Sequence, residues 1–317
     1  MNNTTLLLHT GLEKTGSTSL QETLFLKHPQ VHYLGKVIGN EHIQKACLDD
    51  ISYRVLNPVL WDLDKPMDTE ATLSLFHESL LPLVPKDRVL MGSWENLGHK
   101  TTENHLEMLT RTKAIFGACR IMITLRNPLI QLPSLYLQNL RGNFLRQNNG
   151  WMDSETYEDI EGWYRKCEMI SKNPLLNYSE CIRSSIEQLG RENVGIFLFE
   201  DLQENPNAYY QSICEFMGID PEMGVSLTQD IHSNPRLSEA QLAYMRKTKS
   251  SLLGRMLHSY SSLERRRKRM EALLGGPPAK VVLTEQLIKE VSDASRDGHR
   301  WLVEKLDLPL ETHGYPL

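Results

Sequence analysis

At 317 residues the chain is long enough for one large α/β domain, or two small ones, with a sizeable core. Its 35 Lys and Arg against 40 Asp and Glu give a net charge of -5, which argues against a general nucleic-acid binder but leaves room for local basic patches. Cys47, Cys119, Cys167, Cys181 and Cys214 lack any paired spacing, and neither "MNNTT" nor the apolar run Leu6–Leu8 makes a leader or membrane span, so a cytoplasmic protein in a reduced compartment is expected.

Apolar runs of strand length occur at Thr4–His9, Val31–Leu34, Arg88–Met91, Arg120–Leu125 and Val194–Phe199. Segments of helical period lie between and after them, at Ser17–Leu26, Thr69–Leu81, Thr101–Phe116, Leu129–Leu140, Glu155–Ser171, Tyr178–Leu189 and Asn207–Met217. This alternation predicts an α/β fold, with a central, mainly parallel sheet flanked by helices and ligands bound beyond the carboxyl ends of the strands. From about residue 219 the strands stop. One helix begins at Ser238 and another covers "LTEQLIKEVSDASRDGHRWLVEKL", with "LLGGPP" breaking the chain between them. A single domain over 1–317 is expected, its last third mainly helical.

In "HTGLEKTGSTSLQ" the first strand ends near His9, Gly11 and Gly16 permit a tight turn, and Ser17, Thr18 and Ser19 begin a helix. Unpaired N–H groups at a helix start attract anions, and Lys14 adds a point charge. The two glycines have the spacing of a Walker loop, but Ser17 stands where its lysine belongs. A second phosphate handle lies in "RIMITLRNPLIQLPSLYLQ", where Arg126 emerges at the end of a buried strand, Pro128 suits a helix start and Ser134 falls about two turns along. Taken singly, each stretch also reads as an ordinary turn with a surface cation.

The order G-x-x-K-[ST]-G-[ST]-[ST]-[ST]-L, followed by R-[ND]-P-x(5)-S after a core strand, resembles the sulfotransferases that use 3′-phosphoadenosine 5′-phosphosulfate (PAPS). "VGIFLFEDLQENPNAYYQSICEFMGI" and the closing "WLVEKLDLPLETHGYPL" resemble later parts of the same family, whereas 35–86 and 255–280 resemble it weakly. The resemblance implies a P-loop-like nucleotide-binding fold and sulfuryl transfer from PAPS, with no metal required. It implies that Lys14, Thr15, Gly16, Ser17, Thr18 and Ser19 hold the 5′-phosphosulfate, Lys14 also stabilising the departing phosphate, and that Arg126 and Ser134 hold the 3′-phosphate.

Such a transfer needs a proton acceptor beside the incoming hydroxyl. Glu95 in "VLMGSWENLG" ranks first, because it follows a predicted strand and resembles the glutamate of glycan-modifying members; His9 and then His28 are the rivals. That likeness makes a carbohydrate or glycolipid hydroxyl the expected acceptor. Tyr136, Trp151, Trp163 and Tyr164 are stacking candidates that equally suit a core, and "HSNP" at 232–235 lies where the family often covers the nucleotide. "ERRRKR" at 264–269 reads first as a solvated helix face, and second as a patch for an anionic glycan, lipid head group or membrane surface. The competing function is a P-loop kinase or other ATP-dependent phosphotransferase, for which Glu200 and Asp201 in "IFLFED" would be the strand-end acids. A nucleotide sensor without turnover is the third reading.

Overall fold

Strands covered on both faces need runs of consecutive apolar residues, and the five apolar runs form such strands. The computed structural model describes residues 5–36, 49–95, 101–145, 159–171, 178–229 and 236–317. The strands are β1 (Thr5–Gly11), β2 (Val31–Lys36), β3 (Val89–Trp94), β4 (Ala118–Leu125) and β5 (Val194–Leu198). They pair in parallel in the order β2-β3-β1-β4-β5. Strand order reverses at β1, and in open α/β sheets such a reversal is where ligands bind, here beyond the carboxyl ends of β1 and β4.

The chain falls into two compact units, one comprising 1–127, 174–231 and 295–317, the other 128–173 and 232–294. In the first, α1 begins as Ser17–Ser19 and runs on as a π-helical stretch, Leu20–Phe25. It is followed by α2 (Asp50–Leu60), α3 (Thr69–Leu75) with a π-helical continuation Phe76–Leu80, and α4 (Thr102–Phe116). The second unit holds α5 (Pro128–Leu145) and α6 (Ile160–Ser171). The chain then returns to the first with α7 (Tyr178–Leu189), α8 (Phe199–Glu204), α9 (Pro206–Met217) and α10 (Pro221–Thr228). In the second unit lie α11 (Glu239–Ser250), α12 (Leu252–Ser259), α13 (Leu263–Glu271) and the start of α14 (Glu285–Leu306).

The period of two along the strands divides the core of the first unit between the two faces of the sheet. Leu6, Leu8, Leu90, Ile121 and Ile123 join one cluster with residues of α2, α4 and α7. Leu7, Met91 and Met122 point the other way, into a cluster with Leu20, Leu24, Ile213 and Met217. Cys119, Cys181 and Cys214 are buried thiols, each pushed up to about 12 chiefly by burial, as expected of packing residues rather than nucleophiles. The predicted helix at 69–81 is present but changes hydrogen-bond register at Phe76. Sequence periodicity did not reveal α2, which Asp49 caps by accepting from Ser52 N at 2.9 Å. At its other end the buried Arg111 donates to the carbonyls of Pro58, Asp62, Leu63 and Lys65.

In the second unit, Ser238 and Gln241 form a capping box at the start of α11. The buried guanidinium of Arg266 donates to the carbonyls of His258, at 2.8 Å, and of Leu145, at 3.2 Å, tying the last turns of α12 and α5 to α13. His258 stacks near Phe144 and donates from Nε2 to its carbonyl at 2.9 Å. Burial, then the charge of Arg266, lowers the His258 imidazole to about 4 from its ordinary 6.5. Unfolding between those values takes up a proton, so the stability from neutral His258 is full above about pH 6.5 and is lost as the pH falls toward 4. Denaturant titrations from pH 7 to pH 4 should show a steeper loss of stability in the native protein than in His258→Gln; equal slopes would contradict this burial.

Candidate active site

The loop between β1 and α1 is built against the neighbouring strand. A Cβ on Gly11 would stand 2.1 Å from Thr124 Oγ1, so only glycine allows β1 to end this close to β4. Leu12 N then donates to the Thr124 carbonyl at 3.2 Å. Two left-handed residues shape the rest, Lys14 at φ 68 and Gly16 at φ 86. Glycine takes that conformation without cost, but for lysine it costs on the order of 1–2 kcal/mol. Gly16 caps α1, its carbonyl accepting from Ser19 N at 3.0 Å. Lys14, Thr18 and Ser19 are half-buried, while Thr15 and Ser17 are buried.

Thr15 is a brace within this loop. Its hydroxyl donates to the Leu12 carbonyl at 2.6 Å, and because a carbonyl only accepts, the directions of a whole buried chain follow. Thr124 donates to Thr15 Oγ1 at 2.8 Å, and His9 Nε2 donates to Thr124 Oγ1 at 3.3 Å. Ser93 donates to His9 Nδ1 at 2.8 Å, and Gln21 Nε2 donates to Ser93 Oγ at 2.8 Å. The other amide proton of Gln21 goes to Glu95 Oε1, also at 2.8 Å. A continuous polar thread thus joins the phosphate-type loop to Glu95 across three strands.

The thread separates the proposed bases. His9 is wholly buried and is bonded on both ring nitrogens, to Ser93 through Nδ1 and to Thr124 through Nε2. His28 lies just before β2, at the edge where the strands begin, donating to the Asp220 carbonyl and accepting from Gln30 N. Glu95 directly follows β3 at the carboxyl edge and is half-buried.

Arg126 leaves the end of β4 at that same edge, buried, with its guanidinium 4.4 Å from the centroid of Phe199 at the start of α8. Its Nη1 donates to the Lys14 carbonyl at 2.9 Å, so the two phosphate motifs meet. The next residue works differently. Asn127 N donates to Glu200 Oε1 at 2.9 Å, and its side chain donates to the carbonyls of His313 and Gly314. Glu200 Oε2 accepts from Tyr315 OH at 3.0 Å; burial first, and the nearby acidic groups after it, push that phenol far above its ordinary range. His313 pairs with Asp201 at 3.0 Å and with Glu204 at 3.3 Å. Glu200 and Asp201 therefore bind the chain's last segment, an assignment that leaves the kinase reading without its strand-end acids.

Ser134 lies on α5 in the second unit, half-buried. In that unit Tyr136 and Tyr164 are buried, and Tyr136 packs edge-on to Trp163 with centroids 5.7 Å apart, which is core packing. Trp151 and the "HSNP" stretch lie outside the described residues. Among the described residues no group of three or more His, Cys, Asp and Glu converges as a metal site would need. Gln21, Ser93 and Thr124 are the residues that sequence reasoning missed, since only strand pairing brings them together.

The five-stranded parallel sheet, its helices and the loop after β1 make a P-loop-like α/β fold. The model of one family, described as a sulfotransferase domain, matches residues 5–294, across both units, and the chain belongs to that family. Among solved structures it is similar to a sulfotransferase from Alicyclobacillus acidocaldarius, at 16% identity and TM-score 0.45, over 84% of this chain and 94% of that one. It is also similar to a mouse sulfotransferase complexed with PAP, at 13% identity and TM-score 0.46, over 98% and 89%. A third likeness is to a retinol dehydratase in complex with retinol and PAP, at 15% identity and TM-score 0.43, over 97% and 83%. No curated protein matches the chain in sequence.

The close approach at Gly11 can be tested by a double-mutant cycle. Gly11→Ala should destabilise the protein by about 1–3 kcal/mol, as overpacking does. The same change in a Thr124→Ala background, where the obstructing Oγ1 is gone, should cost clearly less; equal costs in denaturant melts would place the obstruction elsewhere.

Proposed function

We propose that this sulfotransferase moves a sulfuryl group from PAPS to an acceptor hydroxyl by in-line displacement. The observation that carries the reading is the meeting of the two phosphate motifs at one sheet edge, through the Arg126–Lys14 hydrogen bond. The residues suit such a donor: a helix start and a lysine for the 5′ end, and a buried arginine for a terminal phosphate. PAPS supplies the sulfuryl group and a phosphate leaving group.

The chain's own part is binding, charge and proton transfer. Backbone N–H groups from Gly16 to Thr18, with the loop hydroxyls up to Ser19, hold the 5′-phosphate, while Arg126 holds the 3′-phosphate. The motif spacing assigns a contact to the 3′-phosphate to Ser134 as well. As the bond from sulfur to the phosphate oxygen breaks, its electron pair stays on that oxygen, and Lys14 stabilises the growing charge. The acceptor oxygen bonds to sulfur and its proton passes to Glu95, which Gln21 orients through Oε1. A carbohydrate or glycolipid hydroxyl is the proposed acceptor, supported by the likeness of Glu95 to the glutamates of glycan-modifying members. The cytoplasm is the proposed location.

Labelled PAPS incubated with pools of glycans, glycolipids, phenols and amines, followed by mass identification of the product, tests the reaction. Sulfated carbohydrate or glycolipid is the expected outcome, whereas nucleotide binding without turnover on any pool would favour the sensor reading.

Two variants apportion the roles. Glu95→Gln should slow single-turnover transfer by about 10²–10⁴ while leaving adenosine 3′,5′-bisphosphate binding nearly unchanged. Near-normal turnover, or lost nucleotide binding, would remove Glu95 as the base. Lys14→Ala should slow transfer by roughly 100-fold or more, beyond its effect on product binding, because the charge matters most as the phosphate departs. Normal turnover at saturating donor would make Lys14 a positioning residue.

A further inference from the structure

Helix α12 wears its apolar face outward. Leu252, Leu253, Met256 and Leu257 are 68, 64, 47 and 60% exposed, and Tyr260, just past the helix, is 84% exposed. Their spacing of i, i+1, i+4, i+5 and i+8 places them along one face of a helix. His258, on the other face, is buried and bound to the Phe144 carbonyl. An amphipathic helix of a soluble domain normally turns its apolar stripe to the core, so a contiguous exposed stripe marks a surface that meets something else.

Charge around the stripe says what. Between residues 246 and 269 the sequence has nine Lys and Arg and a single acid, Glu264, in a chain whose net charge is -5. Arg246 and Lys247 on α11 are exposed, as are Arg265, Lys268 and Arg269 on α13. Glu264 pairs with Lys268 at 2.8 Å and so offsets only one of these cations. Arg266, itself buried, bonds the end of α12 to α13 through the His258 carbonyl, which fixes the helix of the apolar stripe to the helix that carries the basic run.

We infer that α12 and α13 form a docking surface for a lipid bilayer bearing anionic headgroups. Leu252, Leu253, Met256, Leu257 and Tyr260 enter the boundary between headgroups and acyl chains, and the flanking cations meet lipid phosphates. A second copy of the chain is the poorer occupant, because a self-complementary contact would bring like cations together. The inference is independent of the catalytic assignment, since it uses no residue of the loop, the polar thread or the Arg126 motif.

Co-sedimentation of the full chain with vesicles tests it, using phosphatidylcholine alone and phosphatidylcholine mixed with phosphatidylglycerol. The protein should pellet with the mixed vesicles at low salt, release at high salt, and stay in solution with phosphatidylcholine alone. Leu253→Asp/Leu257→Asp, and separately Arg265→Ser/Lys268→Ser/Arg269→Ser, should each weaken vesicle binding by about tenfold or more. Their melting temperatures and adenosine 3′,5′-bisphosphate affinity should match the parent protein, because every changed side chain is exposed. Equal binding to both vesicle types, or unchanged binding by either variant, would overturn the inference. So would sedimentation velocity showing a dimer that the leucine variant dissolves, which would make this face an interface between copies.

Discussion

The phosphate-type loop hangs on one residue of the neighbouring strand, Thr124. Its carbonyl receives Leu12 N, its hydroxyl bridges His9 and Thr15, and its Oγ1 occupies the space that a side chain at position 11 would need. Without that peg, nothing in β1 itself would force the chain into two left-handed residues within three positions. The strain at Lys14 is offset by the Thr15 bond to Leu12 and by the Arg126 bond to the Lys14 carbonyl. A loop fixed in this way keeps its shape before any ligand arrives, as preorganised electrostatic stabilisation in the proposed reaction requires.

A second anchor fixes the other half of the site. A buried carboxylate is costly unless its oxygens are satisfied, and both oxygens of Glu200 are, by Asn127 N and by Tyr315 OH. Asn127 in turn grips the carbonyls of His313 and Gly314, so the last segment of the chain, the start of α8 and the end of β4 hold one another. Arg126 is thereby placed by its neighbour. The three residues of the R-N-P motif divide the work: arginine reaches the loop, asparagine holds the closing segment, and proline opens α5.

Much of this was legible in the sequence for a physical reason. Strands buried on both faces are continuous apolar runs, so all five of the predicted strands formed, their ends within three residues of expectation. The loop and Arg126 could be placed because each directly follows such a run. What stayed hidden depends on register between distant strands. Gln21 looks like one more polar residue in a helix until Ser93 and Glu95 are seen beside it, 72 and 74 positions away. The acids Glu200 and Asp201 looked like nucleotide-site acids, and only the packing of Tyr315 and His313 shows their structural use. The basic run at 264–269 was visible as charge, but the apolar stripe of α12 beside it was not, because an apolar face does not announce whether it points in or out.

Isothermal calorimetry with adenosine 3′,5′-bisphosphate and with AMP, on the parent protein and on Arg126→Ala, asks most directly whether the two motifs make one nucleotide site. The account predicts that the bisphosphate binds more tightly than AMP by about 1.5–3 kcal/mol for each charged contact to the 3′-phosphate, and that Arg126→Ala removes most of the difference. Equal affinities of the parent protein for the two nucleotides would contradict it.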